Sequence, residues 1–315
     1  MPVPLVTGAT GFAGGHLVEH LLGHTPRVAA WGHAGGRDLP AGADPRVDWS
    51  AVDVNDADAV VRALDTLRPS AIYHCAGVAD VHGTWAASAR ALRVNVMGTH
   101  TLLAAVERLG LNVPILVTGS ALVYGTSAGA LREDSPVAPS SPYGVSKLAQ
   151  EMTADLAPAH VILARPFNHA GPRQAAAYVT SSFARQIAEA EAAVREPVLS
   201  VGNLDARRDI TDVRDTVRAY RLLVERGRPH QPYNVCRGEA FRVGDLLEWL
   251  IRQAQVRIEV KTDPARLRPN DNPVVLGDPG RLTRDTGWTP AIAIDDTLRD
   301  LLAYWRRQLT RERTQ

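Results

Sequence analysis

Short runs of apolar and β-branched residues recur along the 315-residue chain, each followed by a longer stretch with helical spacing. The runs are Val3 to Val6, Val28 to Trp31, Val47 to Val52, Ala71 to Cys75, Ile115 to Thr118, Val161 to Leu163 and Tyr233 to Val235. Short runs this rich in apolar and β-branched residues, alternating with longer helical patterns, predict a parallel sheet with crossover helices. Phe12 to Leu22, Asp56 to Arg68, Trp85 to Leu109 and Tyr143 to Leu156 are long enough to supply those helices. The predicted fold is a doubly wound α/β structure of the Rossmann type.

After Arg165 the texture changes. Gly171-Pro172, Pro197, Gly202, Pro264, Pro269, Pro273 and Pro279 interrupt shorter stretches, which predicts a smaller substrate-binding region. A helical pattern over Val213 to Glu225, followed by the strand-like Tyr233 to Cys236, predicts one more return to the main sheet. The expected division is a dinucleotide-binding domain over 1–166 rejoined by 207–237, and a discontinuous substrate-binding domain over 167–206 and 238–315.

Composition narrows the partners. Thirty-five Lys and Arg against 34 Asp and Glu leave a formal charge of +1, so no whole-chain field favours nucleic acid or an anionic membrane. Met1 leads almost directly into the first strand, without a basic segment or a long apolar run, which points to a cytoplasmic protein. Cys75 and Cys236 sit among strand-like residues and read as reduced, packed thiols rather than a disulfide framework. The ten histidines show no metal-ligand spacing, so no metal is expected.

The chemistry begins at Gly8-Ala9-Thr10-Gly11-Phe12-Ala13-Gly14, between the first strand and the first helix. Glycines there permit a tight turn, and the amides and positive end of the helix suit a dinucleotide pyrophosphate. Asp53 and Val54, after the third strand, are candidates for the adenine, with helix capping as the alternative for the acid. Ala76-Gly77 after the fourth strand would let a ribose approach. The second strand ends in Trp31-Gly32-His33 without the acidic residue that usually holds an NAD ribose. His33 and Arg37 could instead meet a 2'-phosphate, which favours NADP(H) over NAD(H), although both could equally lie in a solvated loop.

Tyr143 and Lys147 stand one helical turn apart, and the strand Ile115 to Thr118 runs out at Ser120. A phenol is a poor acid or base at neutral pH, and a neighbouring ammonium can lower its pKa. Ser120 would hydrogen-bond a substrate carbonyl while Tyr143 moves the proton.

These motifs resemble the extended short-chain dehydrogenase/reductase superfamily, which carries a GxxGxxG loop, a Ser or Thr, and a Tyr-x-x-x-Lys pair in this order. That resemblance implies that Asn95, in Val94-Asn95-Val96, supports the lysine and a proton path, against a plain helix-interior amide bonded to backbone. The runs RPFNHAGPRQ (165–174), GNLDARRDITDVRD (202–215), YNVCRG (233–238) and DPARLRPND (263–271) are similar to the nucleotide-sugar branch, above all GDP-mannose 4,6-dehydratases and GDP-4-keto-6-deoxy-D-mannose reductases. By that resemblance Asn168, Arg208 and Arg268 would hold the substrate diphosphate, and the backbone around Val179 would face the base. Surface ion pairing with Asp205, Asp209 or Asp212 is the alternative for Arg208. The resemblance also implies a homodimer formed through the helices around Asn95 to Leu109 and Tyr143 to Leu156. His82, Thr84 and Trp85 could touch the sugar.

In the dehydratases the hydroxyl residue is followed by an acid that removes the C5 proton. Here Ala121 and Leu122 follow Ser120, and neither carries a proton. Elimination is thus disfavoured, and the expected activity is reduction of a GDP-linked 4-keto-6-deoxyhexose. The alternatives are a C4 epimerase using the same Ser, Tyr and Lys, and, less compatible with that intact set, a non-catalytic dinucleotide sensor.

Overall fold

The computed structural model describes residues 3–33, 44–78, 88–127, 129–267 and 272–312. Arg37, His82, Thr84, Trp85 and Arg268 lie outside the described residues.

The first half alternates as its pattern predicts: β1 (Pro4–Thr7), α1 (Phe12–Leu22), β2 (Val28–Gly32), β3 (Val47–Ala51), α2 (Ala57–Leu67), β4 (Ala71–His74), α3 (Ser88–Leu92), α4 (Gly98–Arg108), β5 (Ile115–Thr118), α5 (Pro142–Asp155) and β6 (Val161–Pro166). A π-helical turn, Arg93–Met97, joins α3 to α4. With β10 (Pro232–Val235) these strands form one parallel seven-stranded sheet in the order β10-β6-β5-β4-β1-β2-β3. The largely apolar runs have a direct cause: successive residues serve opposite cores. Val6 packs with Leu17, Leu21 and Tyr220 on one face, and Leu5 packs with Leu64, Leu102 and Val106 on the other.

The strand order reverses between β1 and β4, and crevices open at the carboxyl ends of strands at such a point. Gly8 lies there in a left-handed conformation (φ +65°), and a Cβ on it would stand 2.6 Å from the Ala76 amide nitrogen. Only glycine allows the two loops to approach this closely.

The second region carries β7 (Asn168–Ala170), α6 (Val179–Glu191), β8 (Val198–Val201), β9 (Arg207–Asp212), α7 (Val213–Arg226), β11 (Ala240–Arg242), α8 (Val243–Arg252), β12 (Glu259–Thr262), β13 (Val274–Val275), α9 (Gly280–Thr286) and α10 (Ile294–Glu312). β9 pairs with β7, β11 and β13 in a small sheet, and Phe183, Ile187, Leu247, Leu298 and Leu302 form a separate core. The chain therefore returns to the large sheet at α7, not at Arg207 as the sequence suggested. Leu282 of α9 and Trp288 also pack into the first core, inside the stretch 238–315 that was expected to serve the substrate side.

Two buried carboxylates tie the regions together. Asp209 accepts from the amides of Arg237, Gly238 and Gly277, and Asp212 caps α7 while taking the Thr297 hydroxyl of α10 at 2.8 Å. Cys75 is partly buried and Cys236 fully so, and both are free thiols. Among the described residues no helix is long and apolar enough to cross a membrane, and no group of three or more His, Cys, Asp and Glu is gathered to hold a metal.

Candidate active site

Helix α5 begins at a fixed point. Ser141 caps it by accepting from the Gly144 amide at 3.1 Å, and Pro142 occupies the first turn, where a missing N–H loses nothing. A Cβ on Gly144 would lie 2.5 Å from the Leu122 carbonyl oxygen, so the helix rests directly on the turn Ala121–Val123 that follows β5. Ser120 caps that turn, its Oγ accepting from the Leu122 amide at 3.1 Å. This contact brings the two side chains together, and Ser120 hydrogen-bonds Tyr143.

Burial pushes the Tyr143 phenol well above its ordinary value, outweighing the Ser120 hydrogen bond, and Tyr178 at the N-cap of α6 acts in the same direction. Lys147 is buried on the same face of α5, its Nζ 5.9 Å from the centre of the Tyr143 ring. Its ammonium donates to the Thr118 carbonyl and to Gln150 Oε1, both at 2.9 Å, and burial lowers its pKa to about 8. The expected lowering of the phenol by Lys147 is thus not what the resting geometry gives. Desolvation dominates, and Tyr143 keeps its proton at neutral pH.

Asn95 is fixed by three hydrogen bonds. It is buried in the π-helical turn, accepts from the Val78 amide at 2.8 Å, and donates to the Val78 carbonyl at 3.2 Å and to Ser146 Oγ at 3.0 Å. Its carboxamide therefore secures the loop after β4 against α5 rather than bonding Lys147. Gly77 lies between the two, where a Cβ would stand 3.0 Å from Asn95 Oδ1 and 3.3 Å from Lys147 Nζ.

The glycine loop fits a dinucleotide. Gly11 is the N-cap of α1 without a side-chain cap, and the first turn carries no acidic residue, so nothing anionic competes for the positive helix end. A Cβ on Gly14 would stand 2.3 Å from the Gly8 carbonyl oxygen, which fixes the path of Thr10, Phe12 and Ala13 around the turn. Phe12 stacks on His169 of β7, with ring centres 5.6 Å apart, so the second region leans over this end. At the other end His33 Nδ1 approaches Asp53 Oδ2 at 4.0 Å. Asp53 accepts from the Asn55 amide and carboxamide, whereas Asp56 caps α2; Val54 is buried against Gly98. Ala76 is buried beside Gly8.

In the second region Asn168 opposes Ile210 in the β7–β9 pairing, on the strand next to the one that carries Arg208. Arg208 Nη1 donates to the Asn272 carbonyl at 2.8 Å. Of the nearby acids, Asp205 pairs with Arg242, Asp212 pairs with Arg214, and Asp209 accepts from three backbone amides. Val179 is exposed at the start of α6. Leu122 is exposed where a catalytic acid would otherwise follow Ser120. The sequence reading missed Gln150, His169 and Tyr178. Only Gln150 carried a signal, its position three residues after Lys147 on one helix face.

The GDP-mannose 4,6 dehydratase family model matches residues 5–301. The chain belongs to this family. The match agrees with the superfamily expected from the motifs. Within the family's neighbourhood, a GDP-6-deoxy-D-mannose reductase of Pseudomonas aeruginosa is 36% identical over 318 residues, covering 98% of each chain. A GDP-mannose 4,6-dehydratase of Vibrio cholerae is 25% identical over 95% of this chain and 92% of its own. Among solved structures, RMD from Pseudomonas aeruginosa complexed with NADPH superposes with a TM-score of 0.85 at 33% identity, covering 98% of this chain and 100% of that one. A protein described as a putative epimerase from Burkholderia cenocepacia reaches 0.87 at 34% identity, covering 97% and 98%.

Proposed function

We propose that this protein is an NADPH-dependent reductase of a nucleotide-diphosphate-linked 4-keto-6-deoxyhexose, GDP-linked in preference to other carriers. The observation that carries the reading is a proton-bearing Ser120–Tyr143 pair beside a charged Lys147, followed by Ala121 and Leu122 in place of an acid. The similarity to the reductase of Pseudomonas aeruginosa over almost the whole chain supports it.

A reduced nicotinamide, when bound, would supply the hydride for C4. The chain's residues handle the oxygen. Ser120 and Tyr143 donate to the C4 carbonyl, and Tyr143 gives up its proton as negative charge develops there. The raised pKa of the phenol suits reduction, because the donor must arrive protonated. Lys147 then stabilises the phenolate it leaves and holds the cofactor ribose with the hydrogen that Thr118 and Gln150 do not use. Without an acid after Ser120 there is no base for C5, so water is not eliminated. Asn168, Arg208 and Arg268 bind the diphosphate, and the segment at Val179 faces the base. His33 and Arg37 meet the 2'-phosphate of NADPH.

A homodimer is part of the same reading. Met97, Val145, Met152 and Leu156 are exposed around α4 and α5, and Leu156 is 86% exposed, an apolar surface that a second copy would cover. Light scattering should return twice the 34.0 kDa chain mass. For the activity, purified protein should oxidise NADPH when given GDP-4-keto-6-deoxymannose, and more slowly with a UDP-linked 4-keto sugar. Equal rates would remove the carrier assignment.

A further inference from the structure

Beneath Lys147 runs a chain of polar side chains that the proposed mechanism does not use. Thr7, His74, Thr99 and Gln150 are fully buried, and come from β1, β4, α4 and α5. His74 Nδ1 lies 2.8 Å from Thr7 Oγ1, and its Nε2 lies 2.9 Å from Thr99 Oγ1. Gln150 Nε2 donates to Thr99 Oγ1 at 2.9 Å, and Gln150 Oε1 takes Lys147 Nζ at 2.9 Å.

The proton directions follow from donors and acceptors alone. Thr99 spends its hydrogen on the Asn95 carbonyl at 2.7 Å, so its oxygen can only accept from His74. His74 Nε2 therefore carries the hydrogen. Nδ1 is then the acceptor for the Thr7 hydroxyl, which itself accepts from the Ala76 amide at 3.2 Å. Every member has one role, and each role fixes the next. With Thr99 accepting from Gln150 Nε2, the carboxamide can turn only its oxygen to Lys147.

We propose that His74, held as the neutral Nε2–H tautomer, is a positioning residue that acts through Thr99 and Gln150 to place the Lys147 ammonium. It touches neither substrate nor cofactor, and it rests on the assignment of Lys147 above. The titratable groups facing Lys147 are Tyr143 on its own helix and His74 and Cys75 at the end of β4. A cationic His74 beside the ammonium would set two like charges in a dry site, so the neutral tautomer is also what the charge allows.

The tautomer can be read directly in the whole protein by two-bond proton–nitrogen correlation of the histidine rings, assigned by difference with His74→Asn. The expected pattern is the neutral Nε2–H form, unchanged between pH 8 and about 5; an Nδ1–H or doubly protonated ring at neutral pH overturns the proposal. In turnover, His74→Asn and Gln150→Met should each lower kcat by about 10- to 100-fold, the scale of a misplaced catalytic group. KM for the nucleotide sugar should change little, and the alkaline limb of the pH profile should move. The double variant should lose little beyond the worse single, since both break one chain. Folded variants with wild-type kcat and a superimposable pH profile overturn it. If His74→Asn does not fold, Gln150→Met supplies the kinetic test. Absence of reductase activity in the wild type would strike the functional reading and leave the tautomer result standing.

Discussion

Lys147 Nζ donates to the Thr118 carbonyl at 2.9 Å, which ties the middle of α5 to the last residue of β5, two positions before Ser120. One bond thus sets the helix that carries Tyr143 against the strand end that carries its partner. Lys147→Met removes both the tie and the charge, and turnover should fall by about 100-fold or more, on the scale of general acid–base catalysis. Wild-type turnover in this variant would contradict the role given to Lys147.

The same lysine sets an alkaline limit. With its pKa near 8, the ammonium is present at neutral pH and is lost as pH rises through that value. The kcat/KM profile, which reports the free enzyme, should bend downward at about 8. Lys147→Arg, whatever its absolute rate, should abolish that bend within the accessible range.

His74 sets an acid limit on stability. Its folded value, about 3, lies below the ordinary 6.5, so the unfolded chain binds a proton that the native state refuses. Stability is then full above about 6.5 and falls as pH drops from there toward 3, at up to about 1.4 kcal/mol per unit. His20, lowered to about 4, adds to the same slope. Urea unfolding followed from pH 7 to 5 should show the decline, and a flat profile would contradict neutral burial of these rings.

The glycine turn admits no methyl group. At Gly14 a Cβ would meet Gly8 backbone atoms at 2.3 and 2.9 Å, and backbone cannot swing aside as a side chain can. Gly14→Ala should weaken NADPH binding by at least about tenfold, measured by fluorescence titration, and should also lower the melting temperature. Tight binding in a folded Gly14→Ala protein would show that the turn does not bear on the cofactor.

Seven runs marked in the sequence are the seven strands of the large sheet, because strands buried on both faces, such as β1, β2 and β5, are apolar along almost their whole length; β3, at the sheet edge, carries Asp48 and Ser50 and is more exposed. β12 is exposed throughout, β11 is half-buried, and β13 has two residues, so the second region gave no comparable signal. The placement of β9 was illegible for a related reason: pairing with β7, β11 and β13 is a matter of distant register, not of local apolar spacing. At the candidate site, the closeness of Ser120, Tyr143 and Lys147 was legible from a strand end and a four-residue spacing. The state of the phenol was not, since desolvation depends on the folded surroundings, and Tyr178 from a distant part of the chain acts on it electrostatically. The partners of Asn95 and the chain from His74 to Gln150 join residues from opposite ends of the first half and show only when folded.

The most direct measurement is transfer from NADPH deuterated at the reactive position of the nicotinamide to GDP-4-keto-6-deoxymannose, with the product read by NMR. One deuterium should appear at C4 of the sugar for each NADPH oxidised, and Tyr143→Phe should abolish transfer while still binding the cofactor. Conversion of the nucleotide sugar with no net oxidation of NADPH, or label at any carbon other than C4, would contradict the account.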